Sequence, residues 1–219
     1  MKKLMIFFII LSLFLTVNVA FADNETVILN ENDVYVSVDG SDSVGDGSVD
    51  NPYQTLNYSI EKAPTNSNIY LKSGTYNSTG YEIVNKSISI TGIGDVTIDG
   101  LNGKISQGFF KISPNASLFL NNIKFINGYC DLNGETPSSI INQGQLYISN
   151  STFDNFKTSI GIIENENYTF IDNVKTSRLS NSELFSAPFK FNIPIQFIYN
   201  IGCCDIYNSY VGHHTTIRI

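Results

Sequence analysis

Asn85-Lys86-Ser87-Ile88-Ser89-Ile90 returns as Asn115-Ala116-Ser117-Leu118-Phe119-Leu120, and again, more loosely, as Gln143-Gly144-Gln145-Leu146-Tyr147-Ile148. Each copy is a turn followed by a short alternating run, and the copies begin 30 and 28 residues apart. Alternation with period two sets Ile88 and Ile90, Leu118 and Leu120, and Leu146 and Ile148 on one face of a strand. A recurrence of this length predicts a solenoid, in which each turn of chain buries its apolar face only against its neighbours.

The rest of the composition agrees with strands and turns. Charged residues are 15 % of the 219, and Asn, Ser, Thr and Gly fill the polar positions. Asn and Ser bond locally to the backbone and leave helix interiors. Lys and Arg number 13 against 20 Asp and Glu, for a formal charge of −7, and the only arginines are Arg178 and Arg218. Nucleic-acid binding needs a basic stripe to displace counterions from phosphates, and none is present.

Residues 1–22 read as a secretory signal peptide: Lys2 and Lys3, an apolar core from Leu4 to Val17, and Ala20-Phe21-Ala22 as a small-x-small cleavage site. The core is shorter than the ~20 residues a spanning helix needs, so a membrane is expected only through an uncleaved leader. An extracellular or cell-surface location follows. Residues 23–33 read as a flexible leader, 34–176 as the β-solenoid, and 177–219 as degenerate or incomplete final coils. Within 34–176, Asn51 as N-cap, Pro52 at the first helical position and Gln54 completing a capping box predict a short helix near 52–63. Tyr53, Leu56, Ile60 and Ala63 fall on one face, and Pro64 ends the helix. Such a helix would cover the open end of the first coil. Further on, Tyr168 to Asp172 looks like a fourth copy that starts too early, and Pro188 and Pro194 argue against a central strand in the run from Phe185 to Tyr199. The expected class is all-β: a right-handed parallel β-helix with a short N-terminal capping helix and an irregular or truncated C-terminal part.

Three segments carry a family resemblance: Val34-Tyr35-Val36-Ser37-Val38-Asp39-Gly40-Ser41-Asp42, Asn51-Pro52-Tyr53-Gln54-Thr55-Leu56, and Ile69-Tyr70-Leu71-Lys72-Ser73-Gly74-Thr75-Tyr76. With the repeat from Gln143 to Phe153, they resemble the N-terminal region of adhesin-like surface proteins of methanogenic archaea, within the pectin-lyase-like right-handed β-helix superfamily. Where those proteins carry a Gly-Gly-Ala-type segment, this chain has Ser138-Ser139-Ile140-Ile141. The resemblance implies a non-enzymatic, exported surface protein whose partners are extracellular glycans or cell-wall components. A polysaccharide lyase or glycoside hydrolase of the same fold is the alternative, and a truncated fragment of a longer adhesin is the third reading.

Candidate sites are few. Asp39, Asp42, Asp46 and Asp50 crowd one Gly-rich loop and are the candidate calcium ligands, since calcium takes six to eight oxygens; the rival reading is ordinary turn chemistry, and no other cofactor is expected. Phe119 and Tyr147 alternate out of phase with the inward leucines and are the candidate ligand contacts, able to stack on sugar rings. Asn24, Asn57, Asn77, Asn85, Asn115, Asn150 and Asn167 head Asn-x-Ser/Thr sequons, a weak excess over chance, with stacked amides as the alternative. Cys130 would pair with Cys203 or Cys204 only if the fold brings them close, and free thiols are the alternative. His213 and His214 point to opposite faces of any strand. Lyases of this fold resemble one another in setting acidic calcium ligands beside an Arg or Lys base. No cluster of Asp at one-coil spacing facing a Lys stands out in this sequence. Asp95 and Asp99 read as turn residues, Arg178 as part of a polar turn, and no catalytic residue is expected.

Overall fold

The computed structural model describes residues 32–103, 108–129, 138–158, 161–178, 180–181, 195–200, 202–210 and 215–218. The expected leader peptide with Asn24, Cys130, Pro188, Pro194, His213 and His214 lie outside the described residues. No described helix is long and apolar enough to cross a membrane.

The described residues are all-β apart from one α-helix and a 3-10 turn, and every pairing between their strands is parallel. Three rows of strands recur in order. The first row takes Asp33–Val36, the front halves of Ser67–Asn77 and Ile88–Asp99, then Ser117–Asn121, Gln145–Ser149, Tyr168–Asp172 and Cys203–Tyr207. The second takes the back halves of the two long strands, then Lys124–Ile126, Thr152–Asp154 and Lys175–Ser177. The third takes Glu82–Val84, Phe110–Ile112, Ser138–Asn142, Gly161–Asn165, Ile195–Asn200 and Thr215–Arg218. The chain visits first, second and third row and returns to the first one rung higher, a parallel β-helix-like arrangement.

Register fulfils the period-two reading. Ile88 pairs with Leu118 and Leu118 with Leu146, while Val34, Ile69, Ile90, Leu120, Ile148 and Ile171 form the neighbouring inward file. These side chains are almost wholly buried, as are Phe125 and Phe153 in the second row and Phe110, Ile140, Ile163 and Ile198 in the third. Burying each such side chain contributes about 1.5–3 kcal/mol, realised only when the neighbouring rung is in place.

Corners are made by residues that tolerate left-handed backbone. Asn122, Asn150, Asn173 and Asn208 stand between the first and second rows with φ of 44–56°. Their amides run up the stack: Asn173 Nδ2 donates to Asn150 Oδ1 at 2.9 Å, and Asn150 Nδ2 to Asn121 Oδ1 at 2.8 Å. In Ile88–Asp99 the strand runs through this corner unbroken. Gly94 takes φ of 78°, and a Cβ on Gly92 would stand 2.2 Å from the Asn122 carbonyl. A second amide ladder is internal: buried Asn142 donates to Asn165 Oδ1 (2.8 Å), Tyr168 O (2.8 Å) and Thr169 Oγ1 (3.0 Å).

Three local expectations change. The helix spans Leu56–Lys62 and its N-cap is Thr55, whose side chain accepts from Tyr58 N, so it begins four residues later than Asn51 and Pro52 imply. Tyr53 is instead paired with Val36, and Asp42 Oδ1 accepts from Gln54 N at 2.8 Å and Thr55 N at 3.0 Å, which commits those residues before the helix starts. Leu56, Ile60 and Ala63 are buried as their spacing requires. Tyr168–Asp172 is a full rung, matched residue by residue to Gln145–Ser149 through a shorter coil. Ile195–Asn200 is a strand paired with Gly161–Asn165, where the prolines of this run argue against one.

Candidate functional site

The second row sets two lysines, Lys124 and Lys175, in one outward file. Within a strand of this row, the middle residue points in and its two neighbours point out. Phe125 and Phe153, stacked with centroids 4.8 Å apart, are the inward residues. One outward file therefore runs Thr97, Lys124, Thr152, Lys175, with Tyr210 bridged to Lys175 above; the other runs Asp99, Ile126, Asp154, Ser177. Lys124, Thr152, Asp154, Lys175, Ser177 and Tyr210 line an open groove of about 540 Å³ between the files.

Asp154 is the groove's acid and is only 9 % exposed. Arg178 reaches it through both Nε (2.7 Å to Oδ1) and a terminal nitrogen on Oδ2, and Ser177 Oγ donates to Oδ1 at 2.8 Å. These hydrogen bonds, Arg178 first, outweigh partial burial and hold the Asp154 carboxyl down to about 2, with Lys124 adding its field. Asp154 is thus a carboxylate throughout the neutral range. Among the described residues, Lys124 and Lys175 form no ion pair.

The residues singled out by sequence fall elsewhere. Asp42 spends both oxygens on Gln54 and Thr55, with Oδ2 accepting from Thr55 Oγ1 at 2.6 Å. Asp46 accepts from Ser48 N at 2.9 Å, and Asp39 and Asp50 are exposed in the same loop. Among the described residues, no three His, Cys, Asp or Glu side chains are grouped to hold an ion. Phe119 and Tyr147 do share an outward file, stacked at 4.4 Å and 9°, and Tyr147 leans on Phe170 at 6.3 Å. They are half-buried, and the face each turns to the other is already covered. Asn57, Asn77, Asn85, Asn115, Asn150 and Asn167 are all exposed, but Asn150 is committed to the corner ladder and Asn57 Nδ2 donates to Glu82 at 2.6 Å. Cys203 and Cys204 take opposite faces of one strand; Cys203 is exposed, and burial pushes the Cys204 thiol up to about 11. Asp99 Oδ1 accepts from Leu101 N at 2.8 Å and Asn127 Nδ2 at 2.9 Å, the turn role its sequence context implies.

The basic face was missed because it sits in register, not in sequence. Lys124, Thr152 and Lys175 occupy equivalent rungs, yet the coils between them differ in length by five residues. The signal that would have revealed it is the motif Lys-Phe-Ile/Thr-Phe-Asp/Lys-Thr-Ser, each copy following an asparagine corner by two residues.

No family model matches the chain. A 55-residue stretch, 25 % of this chain and 13 % of the relative's length, is 42 % identical to Pectate lyase PEL9 of Emericella nidulans. Among solved structures, a rhamnogalacturonan lyase superposes with a TM-score of 0.44 at 15 % identity, over 81 % of this chain and 56 % of that one. With the parallel stacked strands, the pectate lyase match supports a pectin-lyase-like β-helix superfamily. It lends nothing to the adhesin-like and archaeal part of the resemblance. The expectation of a non-enzymatic surface protein is corrected by the same finding, since the sequence relative is an enzyme.

Proposed function

We propose that the chain carries a polysaccharide lyase activity on a right-handed parallel β-helix and that its substrate is an extracellular, acidic glycan. The observation that carries this reading is the outward file Lys124–Thr152–Lys175–Tyr210, which sets two lysines in register on a chain of net charge −7. The match to a pectate lyase supports the reaction class, and the leader-like residues 1–22 support export.

A lyase of this kind removes the proton on the carbon next to a sugar carboxylate, forms a carbon–carbon double bond, and expels the glycosidic oxygen from the neighbouring carbon. The electron pair of the C–H bond becomes the new π bond, and that of the C–O bond leaves with the oxygen. Lys124, beside the fixed Asp154 carboxylate, receives the sugar carboxylate. Lys175, two rungs above Lys124 in the same file, is placed to take the proton. The Tyr210 hydroxyl protonates the departing oxygen. Calcium, which the resemblance implies for such lyases, needs a convergent set of oxygen donors. The groove offers Asp154 alone, with Arg178 and Ser177 already on its oxygens, so the residues do not fit the ion and no step runs through it.

Polygalacturonate incubated with the purified chain tests the proposal through the ultraviolet absorbance of unsaturated chain ends. Product that depends on Lys175 supports it; intact polymer, or release of reducing ends without unsaturation, overturns it.

A further inference from the structure

Seven corner residues of the described coils take left-handed backbone at equivalent rungs. Asn122, Asn150, Asn173 and Asn208 stand at the first corner; Asn127, Asn155 and Arg178 follow the second row with φ of 55°, 58° and 48°. Six are asparagine, the side chain best suited to that conformation after glycine, and each of the two at the second corner bonds to the rung below: Asn127 to Asp99 Oδ1 and Asn155 to Asn127 Oδ1. Arg178 breaks the series at the rung where the groove lies. It accepts a backbone conformation costly for a long side chain and sends its guanidinium down to Asp154, a buried acid on the groove wall. Local fold requirements do not call for this exchange, because an asparagine at 178 would continue the ladder onto Asn155.

We infer that Asp154 is a positioning residue that holds Arg178 at the groove rim as a second receptor for sugar carboxylates, so that the groove engages two acidic units of one chain. The inference rests on the lyase reading for its substrate class. It adds that Arg178, exposed over 69 % of its side chain, sets specificity together with Lys124. Its Nε and one terminal nitrogen are held by Asp154, which leaves the outer terminal N–H groups for a carboxylate and removes the rotamer freedom that would otherwise oppose binding. Asp154 balances only part of the local charge, since both Arg178 and Lys124 act on it.

Calorimetry with trigalacturonate, and a neutral trisaccharide as control, decides the matter on wild type, Arg178→Asn, Arg178→Lys and Asp154→Asn chains. The expected result is binding by wild type, at least tenfold weaker binding by Arg178→Asn, partial rescue by Arg178→Lys, and no change in the neutral control. Arg178→Asn leaves the buried Asp154 carboxylate without its cation and should lower the melting temperature, so affinities are compared at a temperature at which every chain is folded. Asp154→Asn should weaken binding without abolishing it, and where turnover is measurable should raise KM more than it lowers kcat. Unchanged trigalacturonate affinity in Arg178→Asn overturns the inference, as does a wild type that binds no trigalacturonate or an Arg178→Lys chain as weak as Arg178→Asn. Failure of the lyase reading is seen separately: binding that follows Arg178 with no unsaturated product leaves the carboxylate receptor standing and removes the catalytic proposal.

Discussion

Two carboxylates near the stack answer pH in opposite directions. Asp154 is held below the usual carboxylate range by Arg178, so its stabilising contribution is complete above about pH 4 and is lost as pH falls through about 2. Glu82 is 6 % exposed and its carboxyl is pushed up, by burial first, with the Asn57 amide at 2.6 Å opposing the shift. Raised in the folded state, it favours folding most below the ordinary glutamate value and loses that contribution as pH rises through its folded value. Glu82→Gln keeps an acceptor for Asn57 and removes a charge from a poor environment. Denaturant melts should show Glu82→Gln stabilised by roughly 0.5–1.5 kcal/mol at pH 7 and level with wild type at pH 4. Asp154→Asn should differ from wild type at pH 5 and converge on it near pH 2. Parallel pH profiles for wild type and either variant would refute that assignment.

At the scale of elements, the inward files and the amide ladders divide the work. Leu118 sits between Ile88 and Leu146 with no exposure, so Leu118→Ala should cost about 2–5 kcal/mol. Asn142 satisfies three acceptors inside the coil, and Asn142→Ala removes those bonds while Thr169 Oγ1 still donates to Asn165 Oδ1, a loss of about 1–3 kcal/mol in urea unfolding. Asn115→Ala, at an exposed turn tip, should stay within about 0.5 kcal/mol. The files were legible in sequence because a period of two needs only a few residues to declare itself. The helix start was not: Asn51, Pro52 and Gln54 meet every local rule for a cap, yet Tyr53 is taken by Val36 and the backbone after it by Asp42, contacts that depend on a loop returning from twelve residues away.

Over the whole molecule, unequal coils explain what sequence reading found and what it overlooked. Copies 30 and 28 residues apart disclosed the stack, and the same regularity obscured the shorter rung at Tyr168, where the return comes after 23. The groove lies across that irregular interval. Lys124 and Lys175 belong to one file only once the coil between Phe153 and Thr176 is known, and Arg178 reads as a turn residue until its register against Asn127 and Asn155 is seen. Aromatic periodicity, by contrast, drew attention to Phe119 and Tyr147, whose stacking is with each other.

Turnover of polygalacturonate by wild type beside Lys175→Ala tests the account most directly, with melting temperatures measured on both. The account predicts unsaturated ends from wild type and at least a hundredfold slower appearance from Lys175→Ala at an unchanged melting temperature, since Lys175 is exposed and supports no packing. Equal rates from the two chains, or no unsaturated product from either, would contradict it.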